Sequence, residues 1–222
     1  MQRGCENGGT SHNEQMAREA PGDSGTATAL RPSFGEALRE RRQANRISVR
    51  ALASQVGVSP SLVSQIENGK VNPSVDTLVA LVTALGLSLD ELFLDVPVRA
   101  GEPLPQPGGT GVVRQGRRPH IELATGVVWD RLTPTHEQGV DFLYVVYEVG
   151  GASCPPDAPM RHHGREYGLV LSGLLGATVG FDHYELGPGD SIVFNSDIPH
   201  RLWTIGDEPV TGVWTIIGRS GR

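Results

Sequence analysis

Ser61, Ser64 and Gln65 stand at the spacing of one helix face within SPSLVSQIENG, residues 59 to 69. Their side chains are of the kind that reads base edges, because Gln can bond adenine bidentately and Ser adapts to either partner. A helix that presents them to a major groove must bury its other face, and Leu62, Val63 and Ile66 supply that inward stripe. Ser59 offers an N-cap oxygen, and Pro60 fits the first helical position, where its missing N–H costs nothing. Two packed helices joined by a tight turn also occur in proteins that never touch DNA, so this segment alone leaves a plain helical hairpin open.

The flanking elements point the same way. FGEALRERRQANR, residues 34 to 46, puts Phe34, Leu38 and Arg41 on helical spacing, and Ser48 caps a second helix carrying Val49, Leu52, Ala53 and Val56. Gly57 sits where a left-handed C-cap is needed. Ser74 begins a helix with Leu78, Val82 and Leu85 on one face and Gly86 at its end, and SLDE from Ser88 to Glu91 is a capping box before Leu92 and Phe93. Five short helices are predicted. Phe34 to about Leu94 resembles the XRE family of phage-repressor-like DNA-binding domains, through VSPSLVSQIENGKVNPSVDTL. The resemblance implies a five-helix bundle whose third helix enters the major groove. Where that family often carries a phosphate-binding Gln at the start of the second helix, this chain has Val49, so phosphate contacts fall to Ser48, Arg50, Asn68 or Lys70. Ser59, Ser61, Ser64 and Gln65 complete the expected DNA-contacting set.

Charge supports this only locally. The chain of 222 residues carries a formal net charge of −6, and residues 33 to 95 hold Arg39, Arg41, Arg42, Arg46, Arg50 and Lys70 against Glu36, Glu40, Glu67, Asp76, Asp90, Glu91 and Asp95. The cations cluster between Arg39 and Arg50, either as one positive end of the bundle or as a solvated helix face. So modest a patch implies affinity that depends on pairing two half-sites. At 38% hydrophobic the chain can fill two small cores. No apolar run approaches membrane-spanning length, and MQRGCENGGTSHNEQ lacks a signal-peptide core, so a cytoplasmic location with no membrane partner is expected. Cys5 and Cys154 are too few for a disulfide framework or zinc ribbon.

Composition marks the boundaries. Residues 1–32 lack periodicity and read as a disordered tail, 33–95 as the helical DNA-binding domain, and 96–119 as a linker rich in Pro and Gly. From 120 to 218 the texture becomes short β-branched and aromatic runs cut by Gly, Pro and Asp, about eight strands in all, with 219–222 left as a tail. An all-β sandwich or small barrel follows, able to enclose one small ligand.

Within it, MRHHGREYGLVLSG (160 to 173) and LGPGDSIVFNSDIPHRLW (186 to 203) resemble the two motifs of the cupin superfamily, a double-stranded β-helix barrel. By that resemblance the metal ligands fall on His162, Glu166 and His200, while the family's first His falls on Met160, a poor ligand for hard or borderline metals. His163 is adjacent in sequence, and in an extended strand it points to the face opposite His162. Two readings stay open: a 2-His-1-carboxylate triad holding a weakly bound divalent metal, or hydrogen-bonding residues in a metal-free effector pocket. Met160, Tyr167 and Trp203 are expected to line that pocket, with Arg161, Arg165 and Trp214 as further candidates.

The order of domains resembles the XRE-cupin transcriptional regulators of bacteria, over nearly the whole chain outside the tails. That likeness implies a non-enzymatic, dimeric regulator of double-stranded DNA whose barrel senses a small-molecule effector. The alternative is a non-heme iron enzyme resembling hydroxypropylphosphonate epoxidase. Phosphonate binding would want several converging cations, and the strands offer mainly Arg161, Arg165 and Arg201.

Overall fold

Three serines set the helix starts in the first half of the chain. In the computed structural model, which describes residues 34–93 and 111–218, the chain forms α1 (Phe34–Ala44), α2 (Val49–Val56), α3 (Pro60–Glu67) and α4 (Val75–Leu85). The hydroxyls of Ser48, Ser59 and Ser74 accept from the backbone N–H of Ala51, Leu62 and Thr77, each meeting one of the donors that a helix start leaves without a partner. Gly57 and Gly86 end α2 and α4 at φ 75° and 64°, a conformation glycine adopts freely. A Cβ on Gly35 would collide with the Ile66 carbonyl, so this glycine lets α1 lie directly on the end of α3.

Two expectations are corrected. The fifth helix is a single 3-10 turn, Asp90–Leu92. Its capping box forms, with Glu91 Oε2 accepting from Ser88 N at 2.6 Å. Phe93 leaves helical geometry at ψ 97°, and its carbonyl accepts from Arg131 Nη1 at 3.0 Å. The inward basic residue of α1 is Arg42 rather than Arg41. Arg42 lies four residues from Leu38, and its Nε and Nη2 donate to the Glu67 carboxylate on α3 at 2.6 and 2.8 Å. Arg41 stays at the rim, paired with Glu91 at 3.0 Å.

Period-two alternation builds the second half. The strands are β1 (His120–Leu123), β2 (Val127–Arg131), β3 (Val140–Tyr147), β4 (Arg165–Ser172), β5 (Leu174–Val179), β6 (Asp182–Leu186), β7 (Ser191–Asn195), β8 (His200–Ile205) and β9 (Val210–Ile217). The described residues hold nine strands rather than about eight, because IELATGVVWDRL doubles back at Gly126, φ 68°. Six strands pair in the order β1-β2-β3-β9-β4-β7 and three in the order β6-β5-β8, every pair antiparallel. Leu143, Val145, Tyr147, Val170, Leu175 and Leu202 fill the space between.

Bundle and barrel belong to one compact unit. Helix α4 buries a wide apolar stripe of Val75, Leu78, Val79, Leu81, Val82 and Leu85, with Asp76, Thr77 and Thr83 on the other face. It packs on α1 and α2, and Val75 and Val79 border the barrel interior. Ala124 N, in the β1–β2 turn, donates to Pro73 O at 2.9 Å, just before α4. The buried Asp90 carboxylate accepts from Glu137 N at 2.8 Å and lies 2.8 Å from His136 Nδ1 and 3.7 Å from Arg131 Nε. Burial raises its pKa, opposed by these partners. The expected tails and linker residues 94–110 lie outside the described residues. Residues 111–119 include a 3-10 turn, Gln115–Arg117, and Pro119 O accepts from Arg131 N at 2.9 Å.

Candidate functional site

Helix α3 turns Ser61, Ser64 and Asn68 to solvent with Gln65 half-buried beside them, while Val63, Ile66 and Glu67 are buried. Gln65 Nε2 donates to Ser61 Oγ at 3.0 Å, and Asn68 Nδ2 donates to Ser64 O at 2.6 Å, so the amides are held on the exposed stripe. Ser48 and Ser59 are the N-caps of α2 and α3, and Arg50 and Lys70 are exposed. Pairing removes Arg42 and engages Arg41, which leaves Arg39, Arg46 and Arg50 as the exposed members of the basic cluster.

The second site is inside the barrel. Glu166 is the inward residue of β4, His200 begins β8, and His162 lies in the loop before β4. All three are buried, and their ligand atoms lie within 4.8 Å of one another. Glu166 Oε1 is 2.9 Å from His162 Nε2 and 3.3 Å from His200 Nε2. At the far sides of the rings, His162 Nδ1 faces His163 O at 3.2 Å and His200 Nδ1 faces Ile198 O at 2.9 Å. A carbonyl only accepts, so both Nδ1 atoms carry the hydrogen. In these neutral tautomers each Nε2 can act as a metal ligand beside Glu166 Oε1, and the three ligand atoms converge where a cation could sit.

Ligands about 2.1 Å from a metal and at right angles to each other are about 3.0 Å apart, so the observed 2.9 and 3.3 Å are compatible with a metal between them, as they are with hydrogen bonds from protonated rings. His162, Glu166 and His200 can therefore hold a divalent ion, which would keep open positions for a small ligand's oxygen or nitrogen. Burial raises the Glu166 pKa, and it is only as protonated donors that the two imidazoles would outweigh it and hold the carboxyl well below the usual range.

The other carboxylate oxygen is set by Trp214, which the sequence offered as a pocket-lining candidate without a partner for its N–H. Trp214 Nε1 donates to Glu166 Oε2 at 2.7 Å. Gly168, opposite Trp214 in the β4–β9 register, leaves the room the indole needs, since a Cβ there would strike the ring. Tyr147 and Ser153 also line the cavity. Met160 lines it as expected, but Tyr167 and Trp203 do not. Tyr167 follows the inward Glu166 and therefore points outward, 40% exposed, while Trp203 lies three residues from the inward His200, covers Gly176 from outside and stacks under Arg201 at 4.5 Å. His163 is exposed and pairs with Asp197 at 3.1 Å.

With this geometry fixed, similarity to known proteins can be stated. A helix-turn-helix family model matches residues 38–92 and a cupin-domain model matches 134–216. The HTH-type transcriptional regulator PuuR of Escherichia coli is 31% identical over 76% of this chain and 85% of its own length. A crystal structure of an HTH_3 family transcriptional regulator from Vibrio cholerae covers 84% of this chain and 95% of its own at 22% identity, with a TM-score of 0.60, which shows the shared fold. Hydroxypropylphosphonic acid epoxidase from S. wedmorenis covers 84% of this chain and 97% of its own at 21% identity, but with a TM-score of 0.39 it carries no argument about activity. The chain belongs to the family of helix-turn-helix transcriptional regulators that carry a cupin domain.

Proposed function

We propose that this regulator reads a two-part DNA site through α3 and answers to a small molecule held in its barrel. Gln65 and Ser61 contact base edges, with Ser59 and Ser64 beside them, and Arg50, Lys70, Ser48 and Asn68 hold phosphates. The observation that carries the reading is the sorting of α3, whose polar residues sit on an exposed stripe opposite a buried apolar one. Dimerisation runs through the outer face of the large sheet. There Phe142, Tyr167, Leu169, Leu171, Val193 and Ile217 are all at least 37% exposed, an apolar surface that a second copy would cover. No helix among the described residues is long and apolar enough to cross a membrane.

A second reading, a mononuclear non-heme iron oxygenase, draws on the triad. Against it, the described lining contains no Lys or Arg to neutralise a phosphonate. The test is selection of sites from random duplexes by the full chain. A palindromic consensus is expected, and Gln65→Ala should cost about 1–3 kcal/mol on it while relaxing one base position. Leu169→Lys should give a monomer by light scattering. Failure to select any sequence, together with multiple turnovers by iron-loaded protein that Glu166→Ala abolishes, would replace the regulator with the enzyme.

A further inference from the structure

The barrel cavity beside the triad is about 30 Å³. A cavity that takes benzene is about 150 Å³, so this one is too small for an organic molecule of that size. Any such effector must move a wall. Half of the lining, including Trp129, Leu143, Val145 and Trp214, belongs to strands laddered to neighbours on both sides, and the loop residues Ser153, Met160 and His162 are tied by backbone bonds to Leu202, His200 and Ser196. Val75 and Val79 are different, because they come from α4, a helix of the DNA-binding bundle that joins the barrel by side-chain packing and the Pro73–Ala124 hydrogen bond beside it.

We propose that α4 is the movable wall of the effector site, so that an organic ligand reaches His162, Glu166 and His200 only by displacing Val75 and Val79, and in doing so shifts the bundle that carries α3. This rests on the regulator reading and specifies how its two halves communicate. Linkage then runs through a shared helix: whatever free energy the ligand spends in lifting α4 appears as a change in DNA affinity. The lining also limits the ligand's class. Apart from the triad, Ser153 and Tyr147, the described wall is apolar and carries no Lys or Arg. The fitting molecule is small, with a single polar head for the triad and an apolar body that replaces the two valines; polyanions are excluded.

The test is a wedge and a hole in the full-length dimer, read by hydrogen exchange of residues 75–85 and by affinity for the selected DNA site. Val79→Phe adds bulk that the cavity cannot take, so α4 amides should exchange at least tenfold faster and DNA affinity should change at least tenfold. Leu143→Ala, on β3 and outside the bundle, makes room and should return both readouts towards wild type when combined with Val79→Phe. If Val79→Phe does not fold, Val79→Leu carries the same comparison. Unchanged exchange and affinity in the wedge variant would overturn the proposal, and so would changes that Leu143→Ala does not relieve, since those would arise in the bundle's own core. If the wild type selects no DNA site, the regulator reading fails, and the exchange measurements alone still decide whether α4 is the wall.

Discussion

Arg42 provides the sharpest separation of architecture from DNA chemistry. By sequence it belongs to the basic cluster between Arg39 and Arg50, yet it lies 8% exposed beneath α3. Its guanidinium forks onto the Glu67 carboxylate at 2.6 and 2.8 Å and donates a third bond to Ile47 O at 2.9 Å. Arg42→Met leaves Glu67, itself 5% exposed, as an unpaired buried charge, a loss of about 3–5 kcal/mol. For a unit of this size, melting temperature falls about 2–4 °C per kcal/mol, so a drop of about 6–20 °C is expected. Adding Glu67→Leu removes the stranded charge and should recover most of the loss, because buried pairs are often replaceable by well-packed apolar residues. Calorimetry of the wild type and both variants gives these values. On DNA the folded double variant should keep the wild-type salt slope, whereas Arg50→Ala should flatten it by about 0.9. A single-variant cost below about 1 kcal/mol, or a flattened slope in the double variant, would refute the inward role of Arg42.

Two further outcomes follow from buried carboxylates. Trp214→Phe removes the N–H that fixes Glu166 Oε2 while keeping most of the ring, so zinc affinity, titrated against a chelator, should fall about 10- to 100-fold; an unchanged affinity would mean that the indole only fills space. Burial raises the Asp90 pKa above its unfolded value, so the native state binds this proton more tightly than the unfolded chain does. Its contribution to stability is therefore present below the unfolded pKa of about 4 and is lost as pH rises through the raised folded value. Asp90→Asn, which can still accept from Glu137 N, should remove that decline, giving a flatter stability curve through this interval and no loss at neutral pH. Melts between pH 4 and 8 measure it, and a loss above about 2 kcal/mol at pH 7 would mean that the charged pairing with Arg131 and His136 prevails.

What the sequence made legible was local chemistry. Ser48, Ser59 and Ser74 act on amides three residues away, and Gly57 and Gly86 act on their own backbone, so helix starts and ends could be read directly. The failures lie where a distant residue decides. At the Asp90 turn the Phe93 carbonyl pairs with Arg131, far along the chain. Arg41 and Arg42 both suit a stripe begun by Leu38, and only Glu67 on α3 chooses between them. Tyr167 and Trp203 are a different case, because strand parity counted from Glu166 and His200 already sends them outward, and aromatic character was given too much weight. Helix α4 is also decided from afar, since its one apolar stripe already serves the bundle and nothing local says that Val75 and Val79 face the barrel.

Met160 is the departure from the cupin pattern that matters most for function. Its backbone is pinned to His200 by paired bonds, Met160 N to His200 O at 3.1 Å and His200 N to Met160 O at 2.8 Å, so the chain path at this position is fixed beside a ligand-bearing strand. Its side chain lines the cavity with the triad, 9% exposed. Exchanging an imidazole for a thioether at such a position removes a ligand that borderline metals favour, and puts apolar volume in its place. Met160→His should therefore tighten zinc binding by about tenfold or more, measured against a chelator, because a third imidazole would enter an already oriented set as its fourth ligand. It should also fill a coordination position that this chain leaves to an incoming ligand, so a site-directed anion such as azide should perturb the spectrum of the cobalt-loaded variant less than that of the cobalt-loaded wild type. Equal zinc affinity in the two proteins would mean that position 160 does not point at the metal.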